Sequence, residues 1–550
     1  MNIRNSFPTF VHSKDQRECM EQPVSSIPYG ETGYFNQLVV DFLAEHPHIR
    51  PFYKYSPVRP PFEEVIRAKK AHPQQRETLV AALEQQYSGL ETSDAVKANI
   101  SSLADLNTFT VVTAHQPNIF TGYLYFAYKI LQTIKLTDQL KKEHPSYNFV
   151  PVYYMGSEDA DLDELGHVYI DGKNIVWPTD QQGAVGRMQP EGFEELISKI
   201  KDALGHGTYS DELITLLRKS YLEHKNIQDA TLFLVNELFG RYGLVVLVPD
   251  SPMLKKLFIP VMRDELMHQH SYKIVNDTTE RLSLHYKVQA NPREINLFYL
   301  TETGRERIVR IGDTWKVLHM PLEFTAATLE QELQNHPERF SPNVILRGLF
   351  QETILPNIAF IGGGGEIAYW IELQELFAHY RVPFPALILR NSFLMVDPLS
   401  RQRLEKLGLD ITDLFGDAET LINRFVQKHT NASLVLKDEY AAIDKLFDDL
   451  VLKARNIDVT LEATVGSERK KAVKSIGKLE HKFLKAEKKK FAWQTEQIRT
   501  LKSKLFPANS LQERKENFMP WYIHQGPAFF DMILEQLDPL SDQFGIIYTK

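Results

Sequence analysis

The sequence predicts an α/β protein: an open, largely parallel sheet carrying insertions, followed by a C-terminal antiparallel coiled-coil helical domain. Three observations carry this prediction. Short β-branched or apolar runs alternate with helical stretches between residues 109 and 389, the order that packs helices onto a parallel sheet. The texture changes between about 170 and 340, which marks insertions in the core and not a separately folding unit. Apolar residues then recur at heptad spacing from Leu436 to Leu505.

The elements follow in order. Residues 1–105 read as a helical N-terminal part of the core, with Leu79, Leu83 and Leu90 at helical spacing and a loop from Ile49 to Glu64 that holds four prolines. The core runs over 106–430. Phe109–Ala114 is a buried strand, His115-Gln116-Pro117-Asn118 a turn, and Gly122–Lys142 a helix with Leu124, Ala127, Ile130, Leu131, Ile134 and Leu140 on its apolar side. Further strands fall at Phe149–Met155, Leu244–Pro249, Ile358–Gly362 and Pro385–Leu389. Within the insertions, Ile295–Leu300 and Arg305–Ile311 form a hairpin. Residues 431–506 are the arm. Leu436, Tyr440, Ile443, Phe447, Leu450, Ala454 and Ile457 alternate four and three apart; Ala472, Ile476, Leu479, Phe483 and Ala486 repeat the pattern; Phe491, Gln494, Ile498, Leu501 and Leu505 do so one residue out of phase. A break near Gly466 would leave a longer helix over 469–505, about 55 Å at 1.5 Å per residue. A protruding coil of this kind is expected to pair with a second copy as a homodimer. The tail, 507–550, is expected to pack back on the core.

Composition bounds the function. With 550 residues and 63.5 kDa, the chain has room for two to four structural units. An apolar fraction of 43% and a charged fraction of 24% exclude a disordered or collagen-like chain. The net charge of -8 argues against a surface devoted to nucleic acid. The one cysteine, Cys19, cannot make an internal disulfide or a zinc knuckle. The N-terminus lacks the apolar stretch of a signal peptide, and the nearest approach to a membrane span, 353–370, is broken by Pro356, four glycines and Glu366. A cytoplasmic protein without membrane contact is expected.

Four clusters could carry chemistry, each at a predicted strand end or helix start. His115, Gln116, Asn118, Thr121 and Gly122 connect the first strand to its helix, where a helix N-terminus suits phosphate and a histidine can donate to a phosphoryl oxygen. Ser157–Glu164 holds five carboxylates in seven residues, among them Glu158, Asp159 and Asp161; magnesium, a substrate amine or lysines could offset their repulsion. Gly362, Gly363, Gly364 and Gly365 let backbone approach a ligand closely, with Glu366, Tyr369 and Trp370 placed to bond or stack. Asn343, Arg347 and Gln351 are four apart, so one helical face would present all three, and Arg347 could grip phosphate or carboxylate. Each cluster also has a structural reading: a capped turn, a solvated helix start, a tight turn, a surface ion pair. No metal set can be named. Residues 468–490 carry ten Lys/Arg against three Glu, a solvated face or a patch for a nucleotide, RNA or the protein's own acidic body. No G-x-S-x-G, H-E-x-x-H or Cys–His pairing is present, which disfavours triad hydrolysis.

HQPNIFTGYLYFAYKI, FVPVYYMGSEDADLDEL and SPNVILRGLFQETILPNIAFIGGGGEIAYW, in that order and spacing, resemble the cysteine-adding enzymes of bacillithiol biosynthesis, and the coil fits as well. The resemblance implies a Rossmann-like core related to class I synthetases and nucleotidyltransferases, and a coil that mediates dimers. It implies an amide-forming ligase that joins cysteine to the amine of glucosaminyl-malate. His115-Gln-Pro-Asn118 stands where the class I His-x-Gly-His signature would, matching its first His only, and Arg390-Asn-Ser392 stands in for the later lysine motif. ATP or another nucleotide, with magnesium, would activate the cysteine carboxylate as an adenylate or phosphate. Glu158, Asp159 or Asp161 would take the amine's proton, and His115 and Arg347 would steady phosphate charge. The competing reading is a non-catalytic, RNA-binding relative of class I synthetases; a hydrolase dependent on metal at 158–164 would need histidine ligands that the sequence does not place.

Overall fold

A computed structural model describes residues 25–430 and 434–549. Cys19 and the rest of the first 24 residues lie outside this range. The centre is a five-stranded, wholly parallel sheet of β1 (Thr108–His115), β2 (Asn148–Met155), β3 (Val245–Leu247), β4 (Asn357–Gly362) and β5 (Ala386–Leu389). All five predicted strands are therefore in one sheet, the third trimmed to three residues. Every residue of β1 is buried, as a strand covered on both faces requires. The lateral order is 3-2-1-4-5. The chain builds from β1 outward through β2 and β3, then returns to the other side of β1 with β4. The topological switch point thus lies between β1 and β4, where the carboxyl ends of an open α/β sheet leave a crevice. In register, Thr113 pairs with Ile361 and His115 with Met155.

The β1–α1 connection differs from expectation. Helix α1 spans Tyr125–Glu143 and does not begin at Gly122. Phe120 (φ 53°), Thr121 (φ 67°) and Gly122 (φ 64°) make a left-handed turn ahead of it, and Asn517 of the tail ties that turn by donating to the Phe120 carbonyl at 3.0 Å and to the Gly122 carbonyl. A Cβ at Gly122 would lie 2.8 Å from that of Asn118, so glycine is required there on both counts.

The insertions contribute a second, antiparallel sheet. Leu297–Leu300 and Arg305–Ile311 form the predicted hairpin, continued by Thr314–Val317 and Leu322–Thr325 on one side and Phe340–Pro342 on the other. Helix α2 (Val344–Ile354) leads from this sheet into β4, and α3 (Gly364–Ile371) leaves β4. A third sheet ties the chain ends together: Ser25–Pro28 and Phe393–Val396 flank Gln543–Tyr548 of the tail.

The arm is a hairpin of α4 (Lys437–Ile457) and α5 (Leu461–Lys490). Tyr440 lies beside Gly477, and Arg469 pairs with Asp444 (2.7 Å) and Asp448 (2.9 Å), so the helices are antiparallel. The break is at Asp458–Thr460, where the Asp458 carboxylate accepts from the Thr460 amide (2.8 Å) and hydroxyl (2.7 Å). Gly466 lies inside α5. The expected single helix over 469–505 is interrupted at Phe491, and α6 (Ala492–Leu505) packs on the body, burying Ile498, Leu501 and Leu505. That explains the phase shift: the last heptads face the core. Among the described residues no helix is long and apolar enough to cross a membrane.

Candidate active site

The carboxyl ends of the sheet open onto a cleft of about 880 Å³. β1 delivers His115 and Gln116, the acidic turn after β2 delivers Glu158 and Asp159, α2 delivers Asn343 and Arg347, the start of α3 delivers Gly363, Gly364, Gly365, Glu366 and Tyr369, and Arg390 follows β5. Turns that are hundreds of residues apart thus share one wall, because the strand order brings the end of β1 beside that of β4.

The wall is cationic. Lys129, Arg293, Arg305, Arg307, Arg347, Arg390 and Arg514 face four carboxylates: Glu158, Asp159, Glu164 and Glu366. Several of these cations are committed. Lys129, fully buried on α1, donates to the Ala114 carbonyl at 2.6 Å and pairs with Glu366 at 2.5 Å, joining the end of β1 to the start of α3. Burial lowers its pKa, which Glu366 opposes. Arg390 is buried against Glu513 at 2.6 Å. Arg347 donates to the Tyr369 hydroxyl and lies over the Tyr154 ring. Glu366 also accepts from the Gly363 amide at 2.9 Å, which caps α3, while the first-turn amides of Gly364 and Gly365 lie at the cleft.

His115 is 9% exposed, packed against Tyr125 and Phe126. Its Nε2 is buried and has no hydrogen-bond partner among the described residues. Burial, reinforced by Lys129 and Arg390, holds the ring's pKa well below the usual imidazole value, so it is neutral at pH 7. The acidic turn is compensated by lysine: Glu158 pairs with the buried Lys255 at 2.5 Å and accepts from Ser341 at 2.7 Å, and Arg305 binds the same Ser341 at 3.1 Å. Asp159 is half-buried at the cleft and accepts from Gln116 at 3.2 Å. Asn343 caps α2 and is held by the buried Asn296 at 2.8 Å.

Other expected residues lie elsewhere. Asp161 is exposed and caps the short helix Leu162–Leu165 through the Glu164 amide at 3.0 Å. Asn118, Thr121 and Gly122 build the turn behind His115, where Asn118 donates to the Glu164 carbonyl, and none of the three lines the cleft. Gly362 is inside β4, where a Cβ would meet Phe360 at 2.8 Å. Trp370 points into the core, stacked on Phe360 and against Gly348, so it offers no ligand a face. Gln351 is buried beneath Arg347 and does not share its exposure to the cleft.

Lys129, Arg293, Arg305, Arg307 and Arg514 were not found by sequence reasoning. Lys129 had a signal: it interrupts the apolar side of α1 between Phe126 and Ile130. The arginines come one at a time from the insertions and the tail and carry none.

Two family profiles cover nearly the whole chain: bacillithiol biosynthesis BshC, N-terminal Rossmann-like domain, over residues 22–391, and bacillithiol biosynthesis BshC, C-terminal coiled-coil domain, over residues 393–549. A protein of Flavobacterium johnsoniae named "Putative cysteine ligase BshC" is 41% identical over 96% of this chain and 99% of its own length. Proteins of the same name from Christiangramia forsetii (40%, covering 96% and 99%) and Cytophaga hutchinsonii (35%, covering 94% and 97%) are similar end to end. With a Rossmann-like parallel core and a coiled-coil arm both in place, the chain belongs to the BshC family of bacillithiol biosynthesis.

Proposed function

We propose that this chain is an amide-forming ligase that joins the carboxyl group of cysteine to the amine of glucosaminyl-malate, the last step of bacillithiol assembly, with ATP as the activating nucleotide. The observation that carries the reading is the cationic cleft at the switch point. Its seven cations against four carboxylates suit ligands that bring several negative charges, as a nucleotide and the dicarboxylate of a malate do. The names of the relatives point the same way.

ATP would supply the activation that a free carboxylate needs. The residues fit a polyphosphate: His115, the first turn of α3 and Arg347 all line the cleft, and the His115 Nε2 lies buried beneath that wall with no hydrogen-bond partner among the described residues. A neutral His115 offers either a donor or an acceptor without adding a charge of its own. Magnesium, where used, would find carboxylates at Asp159 and Glu164. Of the three expected proton acceptors, Asp159 suits the amine best: Glu158 is engaged by Lys255 and Ser341, and Asp161 caps a helix away from the cleft. Asn343, held by Asn296, is placed to orient a carboxylate or hydroxyl of the acceptor.

The arm is assigned to homodimerisation. Leu446, Leu450, Leu452, Ile457, Leu479 and Phe483 are exposed on it, more apolar surface than a solitary hairpin needs. The basic stretch is partly neutralised from within: Arg469 by α4, Lys488 by Glu419 at 2.9 Å.

The test is reconstitution. Purified protein with cysteine, glucosaminyl-malate, ATP and magnesium is expected to yield the cysteinyl product, followed by mass spectrometry. Cysteine-dependent exchange of pyrophosphate into ATP marks activation through the α-phosphorus, and ADP release marks the γ-phosphorus. Product absent, with neither exchange nor ADP, rejects the proposal.

A further inference from the structure

Away from the cleft, Asp264, His270 and His379 each offer one ligand atom, and these atoms lie within 4.8 Å of one another. None of the three lines the cleft. Asp264 belongs to the helix Ile259–His268 and His270 opens the next, His270–Ser283. Gln269, at φ 58°, is the left-handed joint that sets the second helix so that the His270 Nδ1 meets an Asp264 carboxylate oxygen at 2.9 Å. His379 ends the helix Gln374–His379, which follows α3 in the core, and its Nε2 stands 3.9 Å from the same oxygen. The Tyr380 hydroxyl donates to that carboxylate at 2.7 Å.

We propose that Asp264, His270 and His379 bind a divalent transition-metal ion, zinc foremost, that clamps the insertions to the parallel core. Two imidazoles and a carboxylate are a donor set that zinc takes. Bonds of about 2.0–2.1 Å at tetrahedral angles place ligand atoms roughly 3.3 Å apart. The Asp264–His270 pair is already near that spacing. His379 is exposed and makes no side-chain hydrogen bond among the described residues, so its ring can close the gap from 3.9 Å to roughly 3.3 Å on the Asp264 oxygen. Tyr380 supplies the outer hydrogen bond that orients a ligating carboxylate. A simple Asp–His ion pair accounts for Asp264 and His270. It does not account for a second imidazole, brought from another part of the fold to 3.9 Å from the same oxygen. The fourth position is left to water or to His268, whose ring is 5.5 Å from that of His270.

The experiment is a calorimetric titration of chelator-stripped, full-length protein with zinc chloride alone, paired with cobalt(II) absorption to report coordination geometry. One equivalent is expected at a Kd in the micromolar range or tighter, with intense visible cobalt bands and a raised melting temperature. His270→Ala and His379→Ala should each weaken the site by about 100-fold, and Tyr380→Phe by about 10-fold. His48→Ala, in the separate His46–His48–His285 group, should leave it unchanged. Both ligand histidines are exposed, so circular dichroism is expected to show unaltered folds. Absence of stoichiometric binding, or equal binding by wild type and His379→Ala, overturns the proposal.

Discussion

Gly364 and Gly365 are neighbours on the first turn of α3, yet the structure gives them opposite reasons to lack a side chain. A Cβ at Gly364 would lie 2.7 Å from Val39 Cγ2, a buried methyl that cannot retreat. Gly364→Ala is therefore expected to destabilise the fold by about 1–3 kcal/mol, the usual cost of overpacking. A Cβ at Gly365 would meet nothing within 4 Å. Gly365→Ala should leave stability unchanged or raise it by up to about 1 kcal/mol through helix propensity. Its methyl, however, would stand at the cleft wall and hold a ligand off the first-turn amides. A hydrogen bond to a charged group contributes about 1.5–3 kcal/mol, so losing one weakens binding by roughly 10–150-fold. Urea unfolding measures the first effect, and titration with ATP or glucosaminyl-malate the second. The reasoning is refuted if Gly365→Ala binds both ligands as tightly as the wild type, because the open space would then have no ligand to serve.

Three further outcomes follow from particular side chains. Asp159→Asn should lower turnover about 10²–10⁴-fold, the range for loss of a general base, while Asp161→Asn, which keeps a helix-capping oxygen, should stay within about 2-fold; steady-state kinetics decides. Glu372 is fully buried, accepting from the Gln289 and Ala290 amides, and burial lifts its pKa to about 7 from 4.5. The folded state therefore holds the proton more tightly than the unfolded chain. Stability from this group is full below about pH 4.5 and is lost as pH rises toward 7, by up to about 3 kcal/mol. Urea unfolding from pH 5 to 8 should show a shallower loss in Glu372→Gln, and parallel curves would refute the assignment. For the arm, sedimentation equilibrium should give twice the 63.5 kDa chain mass, and Leu450→Lys with Phe483→Lys should return the monomer without unfolding the core.

The strands were legible because a parallel strand covered on both faces must be apolar or β-branched throughout, and Thr108–His115 is buried at every position. Their lateral order was not, since it depends on where the chain returns after a long insertion. That order decides the site: it sets Gly363 beside His115 although the two are far apart in sequence. Trp370 shows how local pattern misleads. An aromatic after a glycine run reads as a stacking platform, but the missing side chain at Gly348 makes room for it inside the core. Gly362 and Gly364 answer to packing, whereas a Cβ at Gly363 or Gly365 would meet nothing closer than 3.5 Å. Asp161 has the charge of its neighbours but spends it on a cap. The shifted heptads after Phe491 were visible, and their cause, burial against the helices Pro398–Leu407 and Ala418–His429, needed the fold. Single cations such as Arg305 and Arg514 have no periodicity to betray them.

The most direct measurement is a crystal structure of the protein with a non-hydrolysable ATP analogue and glucosaminyl-malate. The account predicts both in the cleft between β1 and β4, phosphates against His115, Arg347 and the α3 amides, and the sugar amine beside Asp159. Ordered ligand at another place, with this cleft holding only solvent, would contradict it.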